Sequence, residues 1–223
     1  MSDRPTRFWL IRHALVEEAA RQYIYGILDV PLSEPDLRAA APSYRALAER
    51  LPGEASWLVS PLSRTRCTAE AIFAAGYKAT TLTVEPDLIE QNMGRWQGVP
   101  HSEFLSHPHP PFWPFSASEV PPEGESMDQV RDRVGEALER LTDAFAGQNV
   151  VAVSHGGTIR AAVAHAMGAP AAAALHLSIQ NLSLTVLERH ALGWRVVCVN
   201  DTLGVSRGAS ERREAGDRAR SAR

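Results

Sequence analysis

Two short segments constrain this chain more than anything else in it: Phe8-Trp9-Leu10-Ile11-Arg12-His13 and Val150-Val151-Ala152-Val153-Ser154-His155-Gly156-Gly157. Each is an apolar run that ends on a histidine. Continuous runs of this kind read as strands buried on both faces, which occur in parallel sheets covered by helices. In open sheets of that type, ligands bind beyond the carboxyl ends of the strands. Two histidines 142 positions apart can therefore share one crevice, and the pair points to an anion site there.

The intervening sequence supports such a sheet. Strands are expected at about residues 7–12, 56–60, 81–84, 150–154, 182–188 and 194–200. Helical patterns alternate with the first four, which favours parallel pairing. Helices are expected at about 64–75, with Ser63 placed to cap it and Gly76 to end it, and at about 158–167, closed by Gly168 and Pro170. Ser126 and Gln129 form a capping-box pattern, and Met127, Val130, Val134, Leu138, Leu141 and Phe145 mark the core face of the helix that follows. Residues 34–51 look helical, but Pro42 should break or restart that helix. The last two strands flank a turn at Leu192-Gly193 and should close one sheet edge as an antiparallel pair. The expected fold is α/β: a three-layer α/β/α sandwich with a mostly parallel central sheet.

With 44% hydrophobic residues, a 223-residue chain can bury one large core, expected over residues 1–203. A net charge of -3 provides no bulk attraction for nucleic acid or an anionic membrane. Apolar runs stop well short of the roughly 18 residues that a membrane span needs. Two cysteines and no apolar stretch near Met1 fit a cytoplasmic protein. Two segments depart from the pattern. Residues 99–125 combine prolines with His101, His107 and His109 and with Phe104, Phe112, Trp113 and Phe115, a composition that suits a lid over a site. Residues 204–223 carry six arginines and almost no apolar mass, so that tail is expected to be disordered.

Individual side chains can then be weighed. Arg12 and His13 end a buried strand, where a polar pair is costly unless it faces a cavity or an anion; an exposed strand end is the alternative. After His155, Gly156 and Gly157 let the backbone approach a ligand, and the helix that follows would aim its amides at an anion. Arg64 falls in the first turn of a helix, an unfavourable place for a cation unless an anion binds there; a salt bridge to Glu70 is the competing reading. Arg66, two residues on, faces elsewhere. Glu90 lies in a loop dense in glycine and tryptophan, and by itself could be any surface carboxylate.

Four stretches, in order, resemble the histidine phosphatase superfamily, also called the phosphoglycerate mutase-like family. They are Leu10-Ile11-Arg12-His13; Ser60-Pro61-Leu62-Ser63-Arg64-Thr65-Arg66-Cys67-Thr68-Ala69; Leu88-Ile89-Glu90 with Gly94-Arg95-Trp96-Gln97-Gly98; and Ser154-His155-Gly156-Gly157. Tyr25-Gly26 with Leu28-Asp29-Val30-Pro31-Leu32 also looks like the family's segment after the first strand, and Glu123-Gly124-Glu125-Ser126 resembles its Gly-Glu-Ser helix start. The resemblance implies a metal-independent phosphatase without cofactor, in which His13 is the nucleophile that forms a phosphohistidine. Arg12, Arg64 and His155 would hold the phosphoryl oxygens, and Glu90 would protonate the leaving alcohol and later activate water. Gly156, Tyr25 and Gly26 would join Arg12, Arg64 and His155 in binding substrate.

Three features depart from the family pattern. Ala14 stands where the family usually has glycine, Leu15-Val16 replace the more usual polar pair, and the asparagine that often contacts phosphate corresponds to Ala19. The lid contains no lysine or arginine, which favours hydrolysis of a small phosphomonoester over mutase chemistry. The branch it looks closest to holds α-ribazole phosphatases and broad phosphatases. Phosphoglycerate mutase-type transfer and a catalytically silent phosphate-binding module are the alternatives. The expected partner is a small phosphorylated metabolite, with a homodimer left open and neither nucleic acid nor membrane involved. No metal is expected, because His101, His107 and His109 lack a carboxylate or cysteine at ligand spacing.

Overall fold

The computed structural model of the chain describes residues 4–104 and 116–204. The expected tail and the expected aromatics of the lid at 112, 113 and 115 lie outside these residues, as do His107 and His109. Six strands form one sheet: β1 (Thr6–Arg12), β2 (Ser56–Val59), β3 (Leu82–Val84), β4 (Asn149–Ser154), β5 (Leu184–His190) and β6 (Gly193–Asp201). Their order is β3-β2-β4-β1-β5-β6, parallel from β3 to β1 and antiparallel from β1 to β6. The fold is thus the α/β sandwich expected, with the antiparallel pair at one edge.

Strand side chains alternate between the two faces, so each central strand feeds two cores. Phe8, Leu10, Val150 and Ala152 pack with α5 (Met127–Ala144), α6 (Gly156–Ala166) and α7 (Ala171–Ala174). Trp9, Ile11, Val151 and Val153 pack on the other side with α2 (Ala41–Arg50) and α3 (Ser63–Ala74). This is why the strands carrying the histidines have no polar alternation. Helix α1 (Glu34–Ala39) and α2 divide at Ala40, and Pro42 lies in the first turn of α2, where its missing N–H costs nothing. A short helix, α4 (His101–Phe104), lies within the stretch expected to form a lid. At α5 the capping box is present: Ser126 Oγ accepts from Gln129 N at 3.2 Å and Gln129 Oε1 from Ser126 N at 2.7 Å.

Three expected boundaries shift, each for a local reason. Ser63 does not cap α3 but begins it, after Leu62; its N–H and hydroxyl both donate to Asp29. Strand β5 begins at Leu184 rather than 182, because Leu182 has φ 58, outside strand geometry. Helix α6 begins two residues early, at Gly156, because a carboxylate from another loop caps it, as described below.

Candidate active site

Strands β1 and β4 pair in register, Arg12 opposite Ser154, so the next residue on each is a histidine at the carboxyl edge of the sheet. His13 N–H donates to Ser154 O at 2.9 Å. The rings of His13 and His155 lie 5.2 Å apart between centroids and are both buried. His13 Nδ1 lies 2.7 Å from Ala14 O. A carbonyl only accepts, so Nδ1 carries the hydrogen and Nε2 keeps its lone pair. His155 Nδ1 accepts from Arg64 Nε at 3.3 Å, which leaves Nε2–H to donate to Ser60 Oγ at 2.7 Å. Burial, and then the guanidiniums of Arg12 and Arg64, push the pKa of His13 well below the ordinary 6.5. Burial does the same to His155, helped by His13, Arg64 and Arg12. Both rings are therefore neutral at pH 7.

The two arginines are held differently. Arg64 is fully buried on α3; Nη1 donates to Leu28 O and Nη2 to Gly26 O, both at 2.7 Å, and its guanidinium lies 5.2 Å from the Tyr25 ring centre. Tyr25 and Gly26 thus cradle Arg64, and Arg64 forms no ion pair with Glu70. Gly26 has φ +43, and a Cβ there would sit 2.8 Å from Gln91 O, so only glycine fits without strain. Arg12 donates through Nη1 to Ile179 O at 2.6 Å, while its buried Nε has no partner among the described residues. Arg66 is exposed, as its helical position indicated.

Glu90 supplies the cap of α6. Its Oε2 accepts from Gly157 N and its Oε1 from Thr158 N, each at 3.2 Å, and Oε1 also accepts from Gln91 N at 3.0 Å. The helix amides expected to face a bound anion are therefore occupied by this carboxylate. A Cβ on Gly157 would lie 2.5 Å from Glu90 Oε1, and one on Gly156 would lie 3.4 Å from Arg12 Nε. The glycine pair makes room for two functional side chains over one helix end.

A family model described as histidine phosphatase superfamily (branch 1) matches residues 8–202. The chain belongs to the histidine phosphatase superfamily. A bifunctional protein of Mycobacterium tuberculosis is 31% identical over 192 residues, 85% of this chain and 52% of that protein. The chain thus spans about half the length of that curated relative. A metal-independent phosphoserine phosphatase of Arabidopsis thaliana is 33% identical over 163 residues, 70% of this chain and 66% of that one. Among solved structures, a mycobacterial glucosyl-3-phosphoglycerate phosphatase matches with TM-score 0.74 and 25% identity over 89% of this chain and 100% of its own. The α-ribazole phosphatase of Shigella flexneri shares the fold, with TM-score 0.73 and 22% identity over 91% of this chain and 100% of its own.

Against the usual pattern of the superfamily, Ala14 proves unstrained. Among the described residues, positive φ outside glycine falls at Glu123, Leu182, Asn200 and Leu203, not at Ala14. Ala14 N–H donates to Thr68 Oγ1 at 3.0 Å, so α3 anchors the residue that fixes the His13 ring. A loop that sequence reasoning missed anchors the other side: Asn181 Nδ2 donates to His13 O at 2.7 Å and Leu182 N to Arg12 O at 3.0 Å. A cavity of about 270 Å³ has a lining that includes Arg12, Tyr25, Gly26, Glu90, Gly156 and Arg160. His13, Arg64 and His155 are not on that lining. Arg160 was also missed; nothing in its spacing distinguishes it from any helical arginine. Among the described residues no cluster of His, Cys, Asp or Glu is arranged to hold a metal, and no helix is long and apolar enough to cross a membrane.

Proposed function

We propose that this protein is a metal-independent phosphatase that hydrolyses a small phosphomonoester through a phosphohistidine on His13. The observation that carries this reading is the fixed state of His13: neutral, with Nδ1–H tied to Ala14 O and the lone pair left on Nε2. Nε2 attacks phosphorus in line as the ester P–O bond breaks, and Glu90 gives a proton to the departing alcohol oxygen. Glu90 then takes a proton from water, which attacks phosphorus; the P–N bond breaks, and inorganic phosphate leaves with His13 neutral again. Arg12 Nε, buried without a partner among the described residues, receives a phosphoryl oxygen. Arg64 and His155 act from beneath, Arg64 as fixed charge and His155 as the group that spaces Arg64 from His13. Gly156, Tyr25 and Gly26 complete the wall. Residues 1–203 form the phosphatase domain in this reading, and its partner is a phosphorylated metabolite rather than nucleic acid or membrane.

The test is release of inorganic phosphate from p-nitrophenyl phosphate and a panel of phosphorylated metabolites, with acid-labile phosphate trapped on the protein by rapid quench. His13→Ala should abolish the trapped phosphate and lower turnover by at least about 10³-fold. Isomerisation of phosphoglycerate without phosphate release would make the protein a mutase instead. No turnover and no trapped phosphate across the panel would leave a binding module.

A further inference from the structure

The proposed reaction uses one of the two guanidiniums that face the cavity, Arg12. The other, Arg160, stands on α6 one helical turn beyond Gly156. It is half-buried, and its Nε donates to Leu177 O at 2.8 Å, which fixes the plane of the guanidinium. Among the described residues neither terminal nitrogen has a hydrogen-bond or ion-pair partner. Burial and the nearby charge of Arg12 both work against its protonation, with Glu90 opposing them. Glu90 itself is already taken up by three backbone amides. A partly buried cation left facing a cavity is costly unless an anion comes to it.

We propose that Arg160 is the specificity-determining residue of this site and that the leaving alcohol carries a carboxylate, received by its two terminal nitrogens as a bidentate fork. The inference rests on the phosphatase reading above. A single guanidinium with two open terminal nitrogens matches a carboxylate in both charge and shape. A second phosphate would bring nearly twice the charge, and among the described lining residues there is no lysine, and no arginine besides Arg12 and Arg160, to share it. The cavity lies near the low end of ligand pockets, about 300 Å³ and upward, so the alcohol half is short. Met127 and Leu175 on the lining suit a short carbon chain between the two anionic ends.

The experiment compares 3-phosphoglycerate with glycerol 3-phosphate, which differ by a carboxylate in place of a hydroxymethyl group, with p-nitrophenyl phosphate as the common reference. The wild-type protein should favour 3-phosphoglycerate in kcat/KM by about tenfold or more, the value of one charge-assisted contact. In Arg160→Met that ratio should fall by about the same factor, carried by KM, and Arg160→Lys should keep more of it than Arg160→Met. A wild-type ratio within about twofold of unity overturns the inference, as does a ratio that Arg160→Met leaves in place, or a Lys variant no better than the Met variant. If p-nitrophenyl phosphate is hydrolysed and the ratio is flat, only the Arg160 inference fails. If the wild-type protein releases phosphate from none of the three, the phosphatase reading fails with it.

Discussion

The two sides of the site use the same residue types in opposite ways. On the α3 side every nitrogen of Arg64 and both ring nitrogens of His155 have protein partners, backed by Ser60, Thr65 and Thr68. On the α6 side Arg12 Nε has no partner among the described residues, and Arg160 presents two terminal nitrogens to the cavity. Groups whose every nitrogen already has a protein partner hold a shape and a field; nitrogens without one are left for a ligand. An arginine at a site is therefore assigned by what its nitrogens already touch, not by its presence in a motif.

This contrast can be broken at several points. Glu90→Gln should have the largest effect, lowering kcat on an alkyl phosphate by about 10³-fold, because a poor leaving group needs its proton. On p-nitrophenyl phosphate, whose leaving group needs little protonation, the loss should stay under about tenfold. Equal losses on both esters would move Glu90 to the holding side, as no more than the cap of α6. Arg64→Met comes next. Orphaning the carbonyls of Gly26 and Leu28 and the Nδ1 of His155 should cost about 3 kcal/mol of folding stability in urea titration. A variant with wild-type stability and collapsed turnover would place Arg64 with the ligand-facing groups instead.

The smallest expected effect is on the pH dependence of stability. Both histidines have pKa values depressed below 6.5 in the folded chain. Below about pH 6.5 the unfolded chain takes up a proton on each while the folded chain does not, so stability is full above that pH and falls as acid is added. The limiting slope is about 1.4 kcal/mol per pH unit for each histidine. Urea midpoints from pH 7.5 to 5.0 should therefore show a shallower decline in His13→Ala than in the wild type. An unchanged slope would mean that His13 titrates normally.

The strand ends, the capping box and the core face of α5 were legible because each is a local pattern with a fixed period or spacing. Arg12, His13, Glu90 and His155 were legible as a set only through the resemblance; alone, Glu90 looked like any loop carboxylate. What escaped depends on groups distant in sequence. Ser63 was expected to cap α3 because serine before a helix commonly does, but Asp29 lies close enough to take both its donors. The early start of α6 needs a carboxylate 67 positions away. Asn181 has no periodicity to mark it, although it steadies the His13 carbonyl. Leu182 in the left-handed region could not be foreseen from a β-rich run, since only tertiary contacts hold a leucine there.

The sheet order has a consequence for how the chain acquires its chemistry. Strand β1 is the first of the six to be made, yet its neighbours β4 and β5 come more than 130 residues later, from residues 149–190. Pairings this distant are slow to form. While the chain is being synthesised, His13 therefore has neither its strand partners nor the loop at 179–183 that steadies it. The nucleophile comes into being only once residues 149–190 have been added and the sheet can close around it.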